Sequence, residues 1–342
     1  MFKRSGENKV AHIALAVSLL IGTFSLFSIT FGLQQNNTAS FYILDTTPQA
    51  TSTPSVESTP TQANTGSAFG NFFSFKTPPT VEEIIDEEVP EARYILQQLD
   101  RLGNIRATSF LVADLDTGEV IFERKPHTKY PIASITKYMT AYTAAENFEP
   151  NELAKITAEK MTVEGNRGNL RIGDHLTIKE LMYPLLLVSS NDAAEIIAQQ
   201  HNRDEFIENM KQSAIDLKMY DTTFEDPTGL SKNNISSARD LFTMMRAMKQ
   251  RYPQIIDISR LSFKENDQYL WTNINRASSF PEFRGGKTGY TNAARQTSIG
   301  YYEIKLANDQ TKNLAVIILQ SDTREQDTRN ILDYIKKYVA YL

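Results

Sequence analysis

Three short strings, Ser134-Ile135-Thr136-Lys137, Ser189-Ser190-Asn191 and Lys287-Thr288-Gly289, stand in that order along the chain. Between them they hold what a reactive hydroxyl requires. A serine hydroxyl is a poor nucleophile at neutral pH until a neighbouring base takes its proton. If Ser134 opens a helix, Lys137 lies one turn on and on the same face, so its amine reaches the hydroxyl without a long-range coincidence. The helix N-terminus favours charge developing at Ser134 and offers a free backbone N–H. For Lys137 to act as a base its pKa must fall, which burial and a second cation both cause. Lys287, delivered by a strand edge, is the expected second cation. Gly289 permits close approach of a substrate backbone to that edge, and Thr288 adds a short hydroxyl able to hold a carboxylate.

Each string alone is weak, and specificity comes from order, spacing and surroundings. Ser134 opens the only Ser-x-x-Lys and Lys287 the only Lys-Thr-Gly in the sequence. Ser-x-Asn occurs twice, at Ser189 and at Ser231. The first follows the apolar run Leu181 to Val188, which must be buried; the second sits in a polar stretch that reads as an exposed loop. Ser189 is therefore the candidate.

The elements that must position these residues are legible in outline. Ala107 to Ala113 and Glu119 to Glu123 flank the turn signal Asp116-Thr117-Gly118 and read as a β-hairpin. A helix is expected from Ser134 to about Asn147, and helical patterns dominate Leu176 to about Lys249. Arg295 to Ile304 and Asn313 to Gln320 read as two long strands. Thr323 to Leu342 reads as a closing amphipathic helix with Ile331, Leu332, Ile335 and Val339 on one face. The expectation is a mixed α/β (α+β) domain over residues 89–342: an antiparallel sheet built from both chain ends and flanked by helices, with a helical subdomain inserted in the middle. The cleft between the halves is the natural ligand site.

Composition narrows the function classes. In 342 residues, 41% hydrophobic and 23% charged, the net charge of -5 leaves no basic footprint for nucleic acid. There is no cysteine, so no disulfide or thiolate metal site exists. The four histidines are scattered without a metal-binding spacing. No metal and no cofactor is expected. Val10 to Leu33 is uncharged, mostly apolar and long enough to cross a bilayer. Lys3, Arg4 and Lys9 precede it and no basic residue follows until Lys76, so residues 1–9 are expected in the cytoplasm and everything after Leu33 outside. An uncleaved signal-anchor over residues 10–33 is expected, with a cleaved signal peptide as the alternative. Residues 34–88, rich in Ser, Thr, Pro, Gln and Asn, read as a disordered tether whose typical end-to-end distance is about 40 Å. The acidic run Glu82 to Glu88 reads as a solvated helix face.

From about Arg106 to Leu342 the chain resembles the serine-type D-alanyl-D-alanine carboxypeptidases, the low-molecular-mass penicillin-binding proteins of β-lactamase/transpeptidase-like fold. The resemblance rests on Pro131 to Thr140 around the nucleophile, Ser189 to Ala194, Asp226-Pro227-Thr228-Gly229-Leu230, Ser236 to Leu241, and Gly286 to Thr291. It implies that Ser134 is acylated by the penultimate D-alanine carbonyl of a peptidoglycan stem peptide, releasing the terminal D-alanine, and that β-lactam antibiotics inhibit by acylating the same oxygen. It further implies Lys137 as base, Ser189 as proton relay, and Asn191 as the residue holding Lys137 and a substrate amide. Lys287 and Thr288 would meet the terminal carboxylate, the N–H groups of Ser134 and Tyr290 would form the oxyanion hole, and Arg324 would lie near the carboxylate pocket. The family often carries a further β-rich domain and an amphipathic membrane helix; here the N-terminal anchor is expected to take over attachment. Alternatives with the same residues are a D,D-endopeptidase on cross-links, a β-lactamase using Glu225, and a catalytically silent wall-binding scaffold.

Overall fold

Residues 311–321 bury Leu314 to Leu319 without interruption, the pattern of a strand covered on both faces. In the computed structural model, which describes residues 93–98, 101–161, 164–165 and 167–342, this strand is the centre of a five-stranded sheet. Its strands are β1 (Ser109–Asp114), β2 (Val120–Arg124), β3 (Phe283–Thr291), β4 (Arg295–Lys305) and β5 (Thr311–Ser321). They pair antiparallel in the order β3-β4-β5-β1-β2. Sequence-distant ends thus meet at the middle, where β5 pairs β1 with Ile317 opposite Leu111. The hairpin β1–β2 turns at Asp116 to Gly118, where Gly118 takes φ +80, a conformation open to glycine at little cost.

Alternate side chains of the central strands serve two cores, because successive strand residues point to opposite faces. Leu111, Ala113, Ala315, Ile317 and Leu319 join the core that holds the helical half. Phe110, Val112, Val316 and Ile318 join the other core, beneath the final helix. The helices are α1 (Thr136–Asn147), α2 (Ile178–Leu187), α3 (Asn191–Ala198), α4 (Arg203–Asp216), α5 (Ala238–Arg251), α6 (Pro253–Arg260) and α7 (Arg324–Tyr338). All but α7 lie between β2 and β3, the inserted helical portion the sequence implies. Thr177 and Glu180 close a capping box at the start of α2.

Two expectations need revision. The closing helix ends at Tyr338; Val339–Tyr341 is a short strand pairing antiparallel with Tyr94–Leu96. Val339 packs in the α7 core as expected, but from an extended, β-branched segment whose backbone bonds are taken by a neighbouring edge. The helical stretch at Ser134 begins as a 3₁₀ turn, Ala133–Ile135, before α1. The expected tail, anchor and tether, including the acidic run, lie outside the described residues. Among the described residues no helix is long and apolar enough to cross a membrane.

Candidate active site

Ala133 takes φ +50, an uncommon conformation for a residue with a Cβ and one that collects at functional turns. It turns the chain so that Ser134 stands half-exposed between the buried Ala133 and Ile135. Ser134 caps no helix, since neither the 3₁₀ turn nor α1 has a side-chain cap. Lys137 is the second residue of α1 and wholly buried, with its Nζ 3.3 Å from Ser134 Oγ. The same nitrogen donates to Asn191 Oδ1 at 2.7 Å and to the Thr228 carbonyl at 2.5 Å. Asn191 Nδ2 donates to the Glu164 carbonyl at 2.7 Å, which fixes which end of the amide faces the lysine.

Those partners determine where a base would act. A neutral amine has two N–H bonds and one lone pair. Thr228 O and Asn191 Oδ1 only accept, so they consume both N–H bonds and leave the lone pair to face Ser134 Oγ.

The second string divides its work among three residues. Ser190 is the N-cap of α3, accepting from Ala193 N at 3.1 Å, and is fully buried. Asn191 opens the helix. Ser189, at φ +59, swings its side chain out of the helix register, and its Oγ accepts from Lys287 Nζ at 2.8 Å. Lys287 also donates to the Thr288 carbonyl at 2.9 Å. It stands on β3, the edge strand of the sheet, opposite Ile299 of β4. Ser134, Ser189, Asn191, Thr288, Gly289, Tyr290 and Arg324 all line one cleft of about 480 Å³.

Burial pulls the Lys137 pKa down to about 7, against the charges of Asp226 and Glu195 and with help from Arg167. Lys287 is held well below the ordinary lysine value by burial, then by Lys137, Arg324 and Arg167. Lys137 is among the charges that depress Lys287, so the second cation that the sequence expects beside Lys137 is in place. Arg167 adds to the depression of both lysines, while Asp226 and Glu195 oppose it at Lys137.

Gly289 also differs from expectation. A Cβ there would meet Thr297 Oγ1 at 2.7 Å, Ile132 O at 2.8 Å and Ala133 Cβ at 2.9 Å. Its missing side chain therefore lets β3 press against the nucleophile turn, while its backbone borders the cleft. Arg324, first residue of α7, donates Nη1 to the Gly289 carbonyl at 2.7 Å and Nε to Glu325 at 3.0 Å. It braces the strand as well as lining the cleft. Tyr290 is 64% exposed at the rim.

One set of contacts was not given a role by the sequence. Asp226 accepts from Thr228 N and Oγ1 at 2.6 Å, Gly229 N at 2.7 Å and Ser231 N at 2.7 Å. Burial works to raise its pKa, but these bonds prevail and hold it below the usual carboxylate value. They shape the turn that aims the Thr228 carbonyl at Lys137. Gly229, at φ +86, lies directly under the nucleophile's peptide, where a Cβ would sit 2.0 Å from Ala133 O. The Asp-Pro-Thr-Gly string announced a turn but not its target. Glu225 is exposed and held by Ser231 Oγ and Asn233 Nδ2, outside the cleft.

Comparison with known proteins gives a consistent answer. Residues 96–323 match the family described as D-alanyl-D-alanine carboxypeptidase, Peptidase S11. A D-alanyl-D-alanine endopeptidase of Pseudomonas aeruginosa is 35% identical over 60% of this chain and 68% of its own length. A D-alanyl-D-alanine carboxypeptidase of Mycobacterium tuberculosis is 32% identical over 57% of this chain and 69% of its own. The crystal structure of a D-alanyl-D-alanine carboxypeptidase from Mycobacterium tuberculosis H37Rv superposes with a TM-score of 0.63 at 26% identity, covering 72% of this chain and 95% of that one. With two thirds of its length matched, both serines lining one cleft and the buried Lys137 within reach of the first, this chain belongs to the D-alanyl-D-alanine carboxypeptidase family of serine peptidases.

Proposed function

We propose that this protein is a serine-type D-alanyl-D-alanine carboxypeptidase that trims the terminal D-alanine from peptidoglycan stem peptides. The observation that carries the reading is the Lys137 amine, whose two N–H bonds are spent on acceptors so that its lone pair meets the Ser134 hydroxyl. Lys137 takes the hydroxyl proton as Ser134 Oγ bonds to the penultimate D-alanine carbonyl carbon. The C–N bond then breaks, and the leaving amine receives a proton by way of Ser189 Oγ. Water attacks the resulting ester and regenerates the serine. The N–H groups of Ser134 and Tyr290 hold the oxyanion, a role supported by the packing of Gly289 against Ile132 and Ala133. Lys287, Thr288 and Arg324 receive the terminal carboxylate, and Asn191 holds Lys137 and a substrate amide.

Incubation with a stem pentapeptide should release one alanine per peptide, seen by mass spectrometry. Ser134→Ala should abolish both this release and labelling by a fluorescent penicillin. A native protein that neither labels nor trims would leave only the scaffold reading. The penicillin adduct should last for hours, because Glu225 is held by Ser231 and Asn233 outside the cleft lining and offers no deacylating base there. A second reading, a D,D-endopeptidase, is favoured by the name of the Pseudomonas aeruginosa relative. Digestion of purified cross-linked muropeptides separates them: loss of dimers without free D-alanine selects the endopeptidase.

The charge pattern Lys3, Arg4 and Lys9 before the apolar run 10–33 supports single-pass attachment to the cell membrane, with the catalytic domain on the extracytoplasmic side. Recovery of the protein in the membrane fraction, and its digestion by protease added to intact spheroplasts, are the expected results.

A further inference from the structure

Arg167 sits on a segment bonded to the second serine string on one side and to the buried Trp271 on the other. On one side the Glu164 carbonyl accepts from Asn191 Nδ2 at 2.7 Å; on the other the Gly168 carbonyl accepts from Trp271 Nε1 at 2.8 Å. Gly165 and Gly168 take φ +85 and +106, and a Cβ at either would lie 3.2 Å from Asn191 Nδ2 or Ser190 Oγ. The segment is thus pressed onto the second serine string, and Arg167 is presented, exposed, to the cleft.

The other cations of the cleft have partners. Lys137 is held by Asn191 and Thr228, Lys287 by Ser189 and Thr288, and Arg324 by Gly289 and Glu325. Among the described residues Arg167 has no hydrogen bond or ion pair, and Glu164, the one carboxylate lining the cleft, does not pair with it. The two guanidiniums also stand on different walls: Arg324 is bonded to β3, whereas the Arg167 segment is bonded to α3. Around the mouth stand Leu230, Ile274 and Tyr290, 44%, 43% and 64% exposed. An unpaired arginine beside exposed apolar side chains suits a ligand with an aliphatic stem and an anionic end.

We infer that Arg167 and the apolar rim of Leu230, Ile274 and Tyr290 form a subsite for a carboxylate-bearing side chain on the acyl part of the substrate, distinct from the terminal carboxylate received on the β3 wall. This inference rests on the carboxypeptidase reading. It makes Arg167 a specificity-determining residue: it selects among peptides by the charge of the residue preceding the scissile pair.

The test compares two peptides that both end in D-alanyl-D-alanine and differ only in whether the preceding side chain carries a carboxylate or its carboxamide. The readout is the ratio of their kcat/KM values, which cancels any influence of Arg167 on Lys137 shared by both. The native protein should favour the acid by about tenfold, the size of one charge-assisted hydrogen bond. Arg167→Gln should bring the ratio near one, and Arg167→Lys should retain part of the preference. A native ratio near one, or a ratio unchanged in Arg167→Gln, would overturn the subsite. Absence of alanine release from either peptide by the native protein would overturn the carboxypeptidase reading and the subsite with it.

Discussion

Lys137 acts as a base only when neutral, so its pKa of about 7 sets where acylation switches on. Protonation below that value blocks proton removal from Ser134, and the rate of penicillin acylation should fall as pH drops through 7. Asp226 favours the protonated form of Lys137 and also orders the turn that presents the Thr228 carbonyl. Asp226→Asn removes the charge and sets an amide donor against backbone N–H groups. The acid limb should therefore move to lower pH. The plateau should fall about tenfold, the kinetic equivalent of roughly 1.4 kcal/mol of lost hydrogen bonding. Stopped-flow acylation across pH measures both. A residue with a purely structural part would lower the melting temperature and leave the limb where it was; that result would remove Asp226 from the catalytic argument.

At the scale of elements, the site depends on backbone approaches that side chains would forbid. Gly229→Ala places a Cβ 2.0 Å from the Ala133 carbonyl oxygen in a residue at φ +86. Neither the turn nor the nucleophile segment can yield without moving Ser134 relative to Lys137. Acylation should drop by about 10²-fold, the cost of a displacement near 1 Å between reacting groups, while far-UV circular dichroism stays native. The sequence made much of this architecture readable. The Ile-, Val- and Tyr-rich runs of β4 and β5, the hairpin at Asp116 to Gly118 and the apolar run before Ser189 are local signals, and the structure keeps them. Ser134, Lys137, Ser189 and Lys287 were legible because amine and hydroxyl chemistry restricts residue type. What stayed hidden acts through backbone or distance. The Thr228 carbonyl bonds Lys137 from 91 positions away, and a carbonyl carries no residue signature. Arg167 acquires meaning only when its segment folds against Asn191. Val339 fits the apolar face of the closing helix in sequence, yet its burial suits a strand equally well, and only pairing with Tyr94–Leu96 decides between them.

For the molecule as a whole, the central strand separates two cores with different tasks. Ile317 and Ile318 are adjacent on β5 and both fully buried, yet they face opposite ways. Ile317 packs in the core that contains Ile132, Ile135, Tyr138 and Leu187, the residues under the nucleophile turn and before Ser189. Ile318 packs in the core of α7, with Ile331 and Ile335. Truncating either to alanine removes the same atoms from an equally dry site, so each should cost about 2–5 kcal/mol in urea unfolding. Their effects on chemistry should part. Ile317→Ala loosens the floor beneath Ser134 and Lys137 and should slow penicillin acylation about tenfold at a temperature where the protein remains folded. Ile318→Ala should acylate at close to the native rate, because the sheet stands between its cavity and the cleft. Equal slowing in both variants would mean that the sheet transmits core loosening to the site from either side, and that the two cores form one mechanical unit.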